Sequence, residues 1–484
     1  MKILLIKPPL NPHLFAPSRG EPLELEYLAA AVPEHAVEIL DLRIDHDLQA
    51  TLEKFRPRLV GVTAYTCDVP AAKEVVREVK KFDSSIITVT GGNHATFVPA
   101  DFADTTVDAV FLGMADFSFR DFVNRLEGGQ DASEINNLAL VRNGRIELTA
   151  QEPIDVDLDS IPLPARHLTA RYRRKYRDVH RNRTAMVLSS RGCPFRCTFC
   201  ACWKLMNGKY FTRSPESIVK ELASLGDDID CVHFADDNTL HNSQRAWRLC
   251  QLLQEEKIQK KLSMYARADF VVKHPDLIEA LKNAGLDCLT IGVESFREEE
   301  LSELNKRTSV EMNNEAIRIL RRLEIRNAAH LIVNPDYRED DFQALFRYIC
   351  ESQLFQPTFA VLTPLPGTEL YERTRDHLAI RDYSYFDFAH SVLPTRLSRK
   401  DFYHQFVRLY IRSYSFHRYF RSLFGDLLSK LKKSGEPGLG ADRLSFLKLC
   451  IVHLAGYPLA FKMRHLYKSE PLVRRRNKDG FLQL

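Results

Sequence analysis

Two successive series of short apolar runs, with an amphipathic stretch after each run, constrain this chain more than any other feature of its sequence. The first series comprises Lys2-Ile3-Leu4-Leu5-Ile6, Val37-Glu38-Ile39-Leu40, Leu59-Val60-Gly61-Val62-Thr63, Ile86-Ile87-Thr88-Val89-Thr90 and Ala109-Val110-Phe111-Leu112. The second comprises Met186-Val187-Leu188, Cys231-Val232-His233-Phe234, Leu262-Ser263-Met264-Tyr265, Cys288-Leu289-Thr290-Ile291-Gly292, His330-Leu331-Ile332-Val333 and Phe359-Ala360-Val361-Leu362. Near-continuous apolar runs of this length read as strands buried on both faces, and the helices between them supply the crossovers that parallel pairing requires. The chain is therefore expected to be α/β. A doubly wound, Rossmann-like sheet covers residues 1–128, a hairpin and linker 129–183, a partial (βα)6 barrel 184–385, and a mostly helical region 386–484.

Both architectures gather ligands where strands end and loops begin. In the first series those ends carry Lys7-Pro8-Pro9, Asp41-Leu42-Arg43, Thr63-Ala64-Tyr65-Thr66, Gly91-Gly92-Asn93-His94 and Gly113-Met114, which reads as a cofactor cradle. Asn143-Gly144, between two apolar runs, predicts a β-hairpin with a tight turn. The linker behind it is acidic and proline-bearing from Asp155 to Pro164, then strongly basic from Arg171 to Arg183, a charge run expected on a solvated face.

A hydrophobic content of 45% and a charged content of 27% exclude a disordered or fibrous chain, and 484 residues give ample length for several cores. The run Leu449 to Phe461 holds His453 and Pro458 and is too short to cross a bilayer, and no secretion signal is visible, so a cytoplasmic protein is expected. The net charge of +4 hides an asymmetry. From Arg396 to Leu484 there are 19 Lys and Arg against 6 Asp and Glu, a balance of +13, which leaves −9 for residues 1–395. Four of the ten cysteines, Cys193, Cys197, Cys200 and Cys202, lie close together and the others are scattered. That pattern favours a reducing compartment and a local metal site over a disulfide framework.

The decisive stretch is Ser189-Ser190-Arg191-Gly192-Cys193-Pro194-Phe195-Arg196-Cys197-Thr198-Phe199-Cys200, directly after the first strand of the second series. Three thiolates spaced Cys-x3-Cys-x2-Cys on one loop can hold three irons of a four-iron cluster and leave the fourth open to substrate or cofactor. Gly192 would let the backbone pass close to the sulfurs, and Arg191 and Arg196 would offset their charge. Cys202, one residue beyond the triplet, reads as a spare thiol, a structural residue or an alternative ligand. The competing reading is a structural zinc knot completed by His233 or His180.

With Phe199 before its last cysteine, the loop resembles the signature of the radical S-adenosylmethionine superfamily, and the resemblance extends across about residues 184–370. It implies that Cys193, Cys197 and Cys200 hold a [4Fe-4S] cluster whose open iron chelates S-adenosylmethionine, which is then cleaved by one electron to methionine and a 5′-deoxyadenosyl radical. By position in that family, Asp236 and Asp237 of Asp236-Asp237-Asn238 contact the methionine amino group, a place where a helix N-cap is also possible. Arg267 lies near the cofactor carboxylate, and Gly292, Glu294 and Ser295 of Gly292-Val293-Glu294-Ser295 reach the ribose or methionyl part. Asn305-Lys306-Arg307 and Pro364-Leu365-Pro366-Gly367-Thr368 match further elements of cobalamin-type members. Residues 1–128 resemble the cobalamin-binding domain that precedes the radical domain in one class, and this implies that Thr63, Thr66, Gly91, Gly92, His94 and Gly113 face the corrin and its nucleotide loop. A generic nucleotide-binding domain is the other reading. The Asp-x-His-x-x-Gly signature of domains that donate histidine to cobalt is absent, and Gly113-Met114-Ala115-Asp116 replaces a common Gly-Glu pair.

A chain with both cofactors resembles the methylases of unactivated carbon, in which hydrogen abstraction precedes methyl delivery from cobalamin and two molecules of S-adenosylmethionine are consumed per turnover. No side chain is singled out as a general base. In the C-terminal region Arg408, Arg412, Arg418 and Arg421 interleave with aromatics, and Lys430, Lys432, Lys433 and the run Leu449 to Phe461 follow. This composition suits an anionic membrane surface or a helical cap over the barrel. Domain order, length and this tail resemble the hopanoid carbon-3 methylases. They imply a lipid or other hydrophobic small-molecule substrate, a donor such as flavodoxin or ferredoxin, peripheral association with the inner face of the membrane, and no nucleic acid. An anaerobic tetrapyrrole cyclase or another non-methylating cobalamin radical enzyme is the first alternative, and an iron–sulfur electron carrier or sensor the second.

Overall fold

The computed structural model describes residues 1–13, 18–103, 106–153, 155–178, 182–354 and 356–414. The first apolar series forms β1 (Lys2–Lys7), β2 (Ala36–Asp41), β3 (Leu59–Thr63), β4 (Ile87–Gly91) and β5 (Ala109–Phe111), all parallel in the order β2-β1-β3-β4-β5. Leu4 and Ile6 of β1 enter one core and Ile3 and Leu5 the other, so a single strand anchors helices on both faces. All four are fully buried, and each such side chain contributes about 1.5–3 kcal/mol. The strand order reverses between β1 and β3, and a crevice opens at their carboxyl ends.

The predicted hairpin is formed by β6 (Leu138–Arg142) and β7 (Arg145–Leu148), with Asn143 at φ 52° and Gly144 at φ 72°, the left-handed pair that a tight hairpin turn needs. It does not belong to the linker. β6 pairs antiparallel with β5, so the first sheet runs on past residue 128. The basic run Arg171 to Arg183 lies mostly on a solvated face, as expected, with Arg171, Arg174, Lys175 and Arg177 exposed. The turns over Arg166–Lys175 are clipped to both domains, with Arg166 on Glu21 (3.2 Å) of the first and Glu221 (2.7 Å) of the second, Tyr172 on Asp45 (3.2 Å) and, just beyond, Tyr176 on Asp41 (3.2 Å). Of the basic residues within the run, Arg173 meets a buried carboxylate, Glu21 at 3.1 Å.

The second series begins with β8 (Thr184–Val187), after which β9 (Ser190–Arg191) and β10 (Phe211–Thr212) form a small antiparallel pair. β11 (Cys231–Phe234), β12 (Lys261–Ala266), β13 (Leu286–Glu294), β14 (Arg326–Val333) and β15 (Thr358–Val361) then complete a curled parallel half-barrel, in the order β15-β14-β13-β12-β11-β8. Helices cover its convex face, and their starts follow local chemistry. Ser214 accepts from the Ser217 amide (3.1 Å) ahead of Pro215, and Asn242 accepts from the Arg245 amide (3.0 Å). The helix Arg399–Ser413 packs Phe402 and Phe406 into this core. Arg412 bonds Gln343 (2.6 Å) and lies over Phe346. The remaining tail features, Arg418, Arg421, Lys430, Lys432, Lys433 and Leu449 to Phe461, fall outside the described residues.

Candidate active site

The cysteine loop leaves β8 and is fixed from below by the end of β11. The Asp236 carboxylate accepts from the amides of Ser189 (2.7 Å) and Ser190 (2.9 Å) and from the Ser189 hydroxyl (2.5 Å). Burial nevertheless pushes its carboxyl above the ordinary value. Asp237 accepts from the Gly192 amide (2.9 Å). Gly192 is irreplaceable here. It sits at φ +85°, and a Cβ would stand 2.4 Å from the Lys209 carbonyl oxygen and 2.8 Å from Met206. Further along, the Thr198 amide donates to Leu304 O (3.0 Å), Asn305 Nδ2 to Arg196 O (2.7 Å) and Trp203 Nε1 to Cys197 O (3.1 Å).

Cys193, Cys197 and Cys200 are free thiols on this loop, close enough that each feels its neighbours' charge. Burial, then Cys200 and Cys197, push the Cys193 thiol up to about 11. Burial also raises Cys197, against the pull of Lys306 and Arg267. The Cys202 thiol donates toward Cys200, which lowers the Cys200 thiol. No group of three or more His, Cys, Asp or Glu among the described residues is arranged to hold a single ion. The zinc-knot partner His233 is engaged with Ser263 (3.1 Å) and Tyr265 (3.4 Å), and His180 lies outside the described residues.

Beside the loop stand two cations, Lys306 and Arg267, that act on Cys197. Lys306 pairs with Glu294 at 2.7 Å, and the Arg267 guanidinium lies 3.7 Å from the Phe195 ring centre while donating to the carbonyls of Lys306 (2.8 Å) and Arg307 (2.9 Å). Glu294 (φ 60°), Asn305 (φ 49°) and Arg307 (φ 52°) are all left-handed, a cost of about 1–3 kcal/mol each that persists only where the surroundings enforce it. Gly292 leaves room for this pair, since a Cβ there would stand 2.2 Å from Glu294 Oε1. Asn238 Oδ1 is buried with no partner, an acceptor left for a ligand at the end of β11. Ser295 is committed elsewhere. Its hydroxyl donates to Glu300 and accepts from the Arg297 amide (3.1 Å), so it closes the turn that follows β13.

A cavity of about 500 Å³ lies between the two sheets. Thr63, Gly91, Gly92 and Gly113 line it from the first, and Leu188, Ser190, Arg191 and Asp237 from the second. Gly92, at φ +110°, brings the backbone in so closely that a Cβ would be 2.7 Å from Ala64 O. Tyr65 projects into the cavity about half exposed, with the Lys7 ammonium 4.8 Å from its ring centre and Glu24 2.7 Å from that ammonium. Two expected members are elsewhere. His94 is buried, bonded to Asp101 (2.9 Å) and Thr66 (3.3 Å) and packed against Tyr383 (4.6 Å). The short helix Asn93–Phe97 turns the His94 ring inward, and Thr66 follows as its partner.

Sequence reasoning missed the pair that joins the halves. Arg191 makes a bidentate bridge to Asp116 (2.5 and 3.0 Å), at the start of the helix Asp116–Glu127. Burial would raise the Asp116 carboxyl, but Arg191 outweighs it and holds the group below its ordinary value. Lys306 was also missed as a site member, although its motif stands out in the sequence.

The donor chemistry of the cysteine loop and the glycine-lined cavity agrees with the cofactors of two known domains. The Radical SAM superfamily model matches residues 187–349 and the B12 binding domain model residues 16–123. Joined in one chain, they make this protein a cobalamin-dependent radical S-adenosylmethionine enzyme, whose cofactors are a [4Fe-4S] cluster, S-adenosylmethionine and cobalamin. The chain is 28% identical to the hopanoid C-3 methylase of Methylococcus capsulatus, over 84% of this chain and 79% of that protein. It is 25% identical to the anaerobic magnesium-protoporphyrin IX monomethyl ester cyclase of Cereibacter sphaeroides, over 82% of this chain and 68% of that one. The solved structure of the cobalamin-dependent S-adenosylmethionine radical enzyme OxsB, with aqua-cobalamin and S-adenosylmethionine bound, shares the fold. It has a TM-score of 0.68 at 16% identity, covering 99% of this chain and 82% of that one.

Proposed function

We propose that this enzyme is a methyltransferase acting on an unactivated carbon of a hydrophobic small molecule, a polycyclic isoprenoid lipid such as a hopanoid. The observation that carries the reading is the shared cavity, because glycines of the first domain and residues flanking the cysteine loop open onto one space. The 28% identity to a hopanoid methylase supports the substrate class. When bound, the cluster and S-adenosylmethionine supply hydrogen abstraction from a carbon with no acidic proton, and cobalamin supplies the methyl group.

The chain's own residues bind and orient. Cys193, Cys197 and Cys200 hold the cluster, while Lys306 and Arg267 offset the charge of its thiolates. Asp237 and Asn238 offer acceptors to an ammonium group, and Glu294 with Lys306 presents a polar, net-neutral edge to the cofactor. Asp236 acts through the loop backbone, not on the ligand. Gly91, Gly92 and Gly113 admit the edge of a macrocycle, and Thr63 can bond its amides. Electrons would come from a flavodoxin or ferredoxin. The basic tail would hold the enzyme at the inner face of the membrane, where such lipids reside; no helix among the described residues is long and apolar enough to cross a membrane.

The test is anaerobic. Protein reconstituted with iron, sulfide and cobalamin is given reductant, S-adenosylmethionine and total bacterial lipid, and S-adenosylhomocysteine is quantified against 5′-deoxyadenosine. Comparable amounts of both are expected. 5′-Deoxyadenosine alone, from protein with full iron and cobalamin, would refute methyl transfer and favour a cyclase-like oxidation.

A further inference from the structure

The segment that carries the cysteine loop is charged with one sign. From Arg191 to Pro215 it holds five cations, Arg191, Arg196, Lys204, Lys209 and Arg213, and no Asp or Glu, although residues 1–395 together balance at −9. Two of the five are committed inside, Arg191 to Asp116 and Arg213 to the buried Glu221. The other three reach the surface. Arg196 and Lys209 are exposed and Lys204 partly so, and the side chains of Arg196 and Lys204 enter no hydrogen bond or ion pair among the described residues. They gather round one ring, with the Arg196 guanidinium 5.8 Å and the Lys204 ammonium 5.5 Å from the centre of Trp203, whose indole donates to the Cys197 carbonyl (3.1 Å). Lys209 lies over Phe211 (5.9 Å).

This patch lies outside the cavity, which is lined by Leu205 and Met206 of the same turn. The elements packed on the loop add exposed charge of both signs. The Thr198 amide donates to Leu304 O (3.0 Å) and its carbonyl accepts from the Leu370 amide (2.9 Å), so Glu303, Arg307 and Glu369 stand nearby. Arg267 beside Phe195 is paired with Asp269 (2.9 Å) and adds no net charge. Four outward cations, Arg196, Lys204, Lys209 and Arg307, thus outnumber two carboxylates. Like charges gathered in this way repel one another without internal compensation, and they attract a partner of the opposite sign.

Position identifies the partner. Electron transfer weakens steeply with distance, so a carrier protein has to dock where a cluster ligand comes closest to the surface. Arg196 directly precedes Cys197 in the chain, and the Trp203 indole is bonded to the Cys197 backbone. Resting on the reading above that a carrier protein supplies the electrons, we propose that Arg196, Trp203, Lys204 and Lys209 form the docking surface for an acidic one-electron carrier. One electron leaves the carrier, which is oxidised, and enters the cluster, which is reduced, with no bond made or broken. The cations raise the rate of encounter and fix where the carrier sits, and Trp203 fills the contact between them.

The test uses the full-length chain reconstituted with iron, sulfide and cobalamin, and follows reduction of the cluster by stopped-flow absorbance. Reduced flavodoxin and reduced ferredoxin, both acidic proteins, are compared with reduced methyl viologen, a small cation. Lys204→Glu combined with Lys209→Glu should slow reduction by the carrier at least about tenfold at low salt, with iron content full and reduction by methyl viologen as fast as in the parent or faster. The parent's rate with the carrier should fall between about 0.01 M and about 1 M salt, where the screening length shrinks from about 30 Å to about 3 Å, and the variant's should not. The same reversal at Lys54 and Lys81 changes the total charge equally. Both are exposed, at the ends of the helices Leu48–Phe55 and Val69–Phe82, whereas the cavity lies at strand ends, where helices begin; this control should leave every rate unchanged. A patch variant as fast as the parent with the carrier overturns the proposal and moves the dock elsewhere, to the basic tail. Equal slowing by the control, or slowing with methyl viologen too, also overturns it, by showing an effect of net charge or a damaged loop. If neither protein reduces the parent while methyl viologen does, the carrier reading itself fails and the proposal with it; methyl transfer is decided separately by the product assay above.

Discussion

Replacing Asp116 by Asn tests whether one ion pair sets the two halves of this enzyme against each other. The pair is bidentate, with Arg191 16% and Asp116 7% exposed at the side chain, so it lies largely out of water. Removing one partner of a buried pair costs about 3–5 kcal/mol, because the other charge is left uncompensated. Asparagine keeps one acceptor for the guanidinium and recovers about 1 kcal/mol, leaving a loss of about 2–4 kcal/mol. At about 2–4 °C per kcal/mol for a domain of this size, thermal unfolding of the reconstituted protein should fall by roughly 4–16 °C. Arg191 directly precedes Gly192 and Cys193, so the same change should loosen the loop and raise 5′-deoxyadenosine relative to S-adenosylhomocysteine.

The pH dependence follows from the sign of the shift. Arg191 holds the Asp116 carboxyl below its ordinary value, so the pair's contribution is complete above the unfolded value near ~3.9 and disappears as pH falls through the lower folded value. Parent and Asp116→Asn should therefore differ fully at neutral pH and converge only in acid. The double reversal Asp116→Arg with Arg191→Asp should recover part of the loss. A midpoint within 2 °C of the parent, or a reversal no better than the worse single change, would refute the reasoning.

Other expectations separate the two cofactor sites. Gly192→Ala should lose most bound iron with helical content unchanged, because the new Cβ meets the Lys209 carbonyl at 2.4 Å in a left-handed backbone; iron assay and circular dichroism check this. Gly92→Val should abolish cobalamin binding by absorbance while iron stays full, since the clash lies with Ala64 in the first domain only. Cys197→Ala should lose the cluster and all cleavage of S-adenosylmethionine, whereas Cys202→Ala should keep both. Lys306→Met strips Glu294 of its partner and Cys197 of a nearby cation, so the cluster's reduction potential should become more negative and the KM for S-adenosylmethionine should rise roughly tenfold.

What could be read from the sequence was what is written locally. β1 alternates Ile3 and Leu5 with Leu4 and Ile6, and that run of four apolar positions already implies two cores; Cys193, Cys197 and Cys200 share one loop, so their spacing is their geometry. The misplacements all involve a third dimension. His94 follows a glycine pair at a strand end, where an exposed ligand was expected, yet one turn of helix sends it to Asp101 and Thr66. Asp236 and Asp237 are adjacent in sequence and divide the labour, one holding Ser189 and Ser190, the other Gly192 at the edge of the cavity. Ser295 looked like a ligand because its motif is, but its hydroxyl had already been claimed by Glu300. Arg191 and Asp116 belong to different domains, and nothing in either segment names the other; only closure of the two sheets over one cavity turns a loop arginine and a helix-start aspartate into the joint between them. The basic linker was legible as a solvated run, while the contact of Arg173 with the buried Glu21 depended on a distant segment. The residues proposed to bind each cofactor are thus largely local in sequence, while the pair that joins the two sheets across their shared cavity is not.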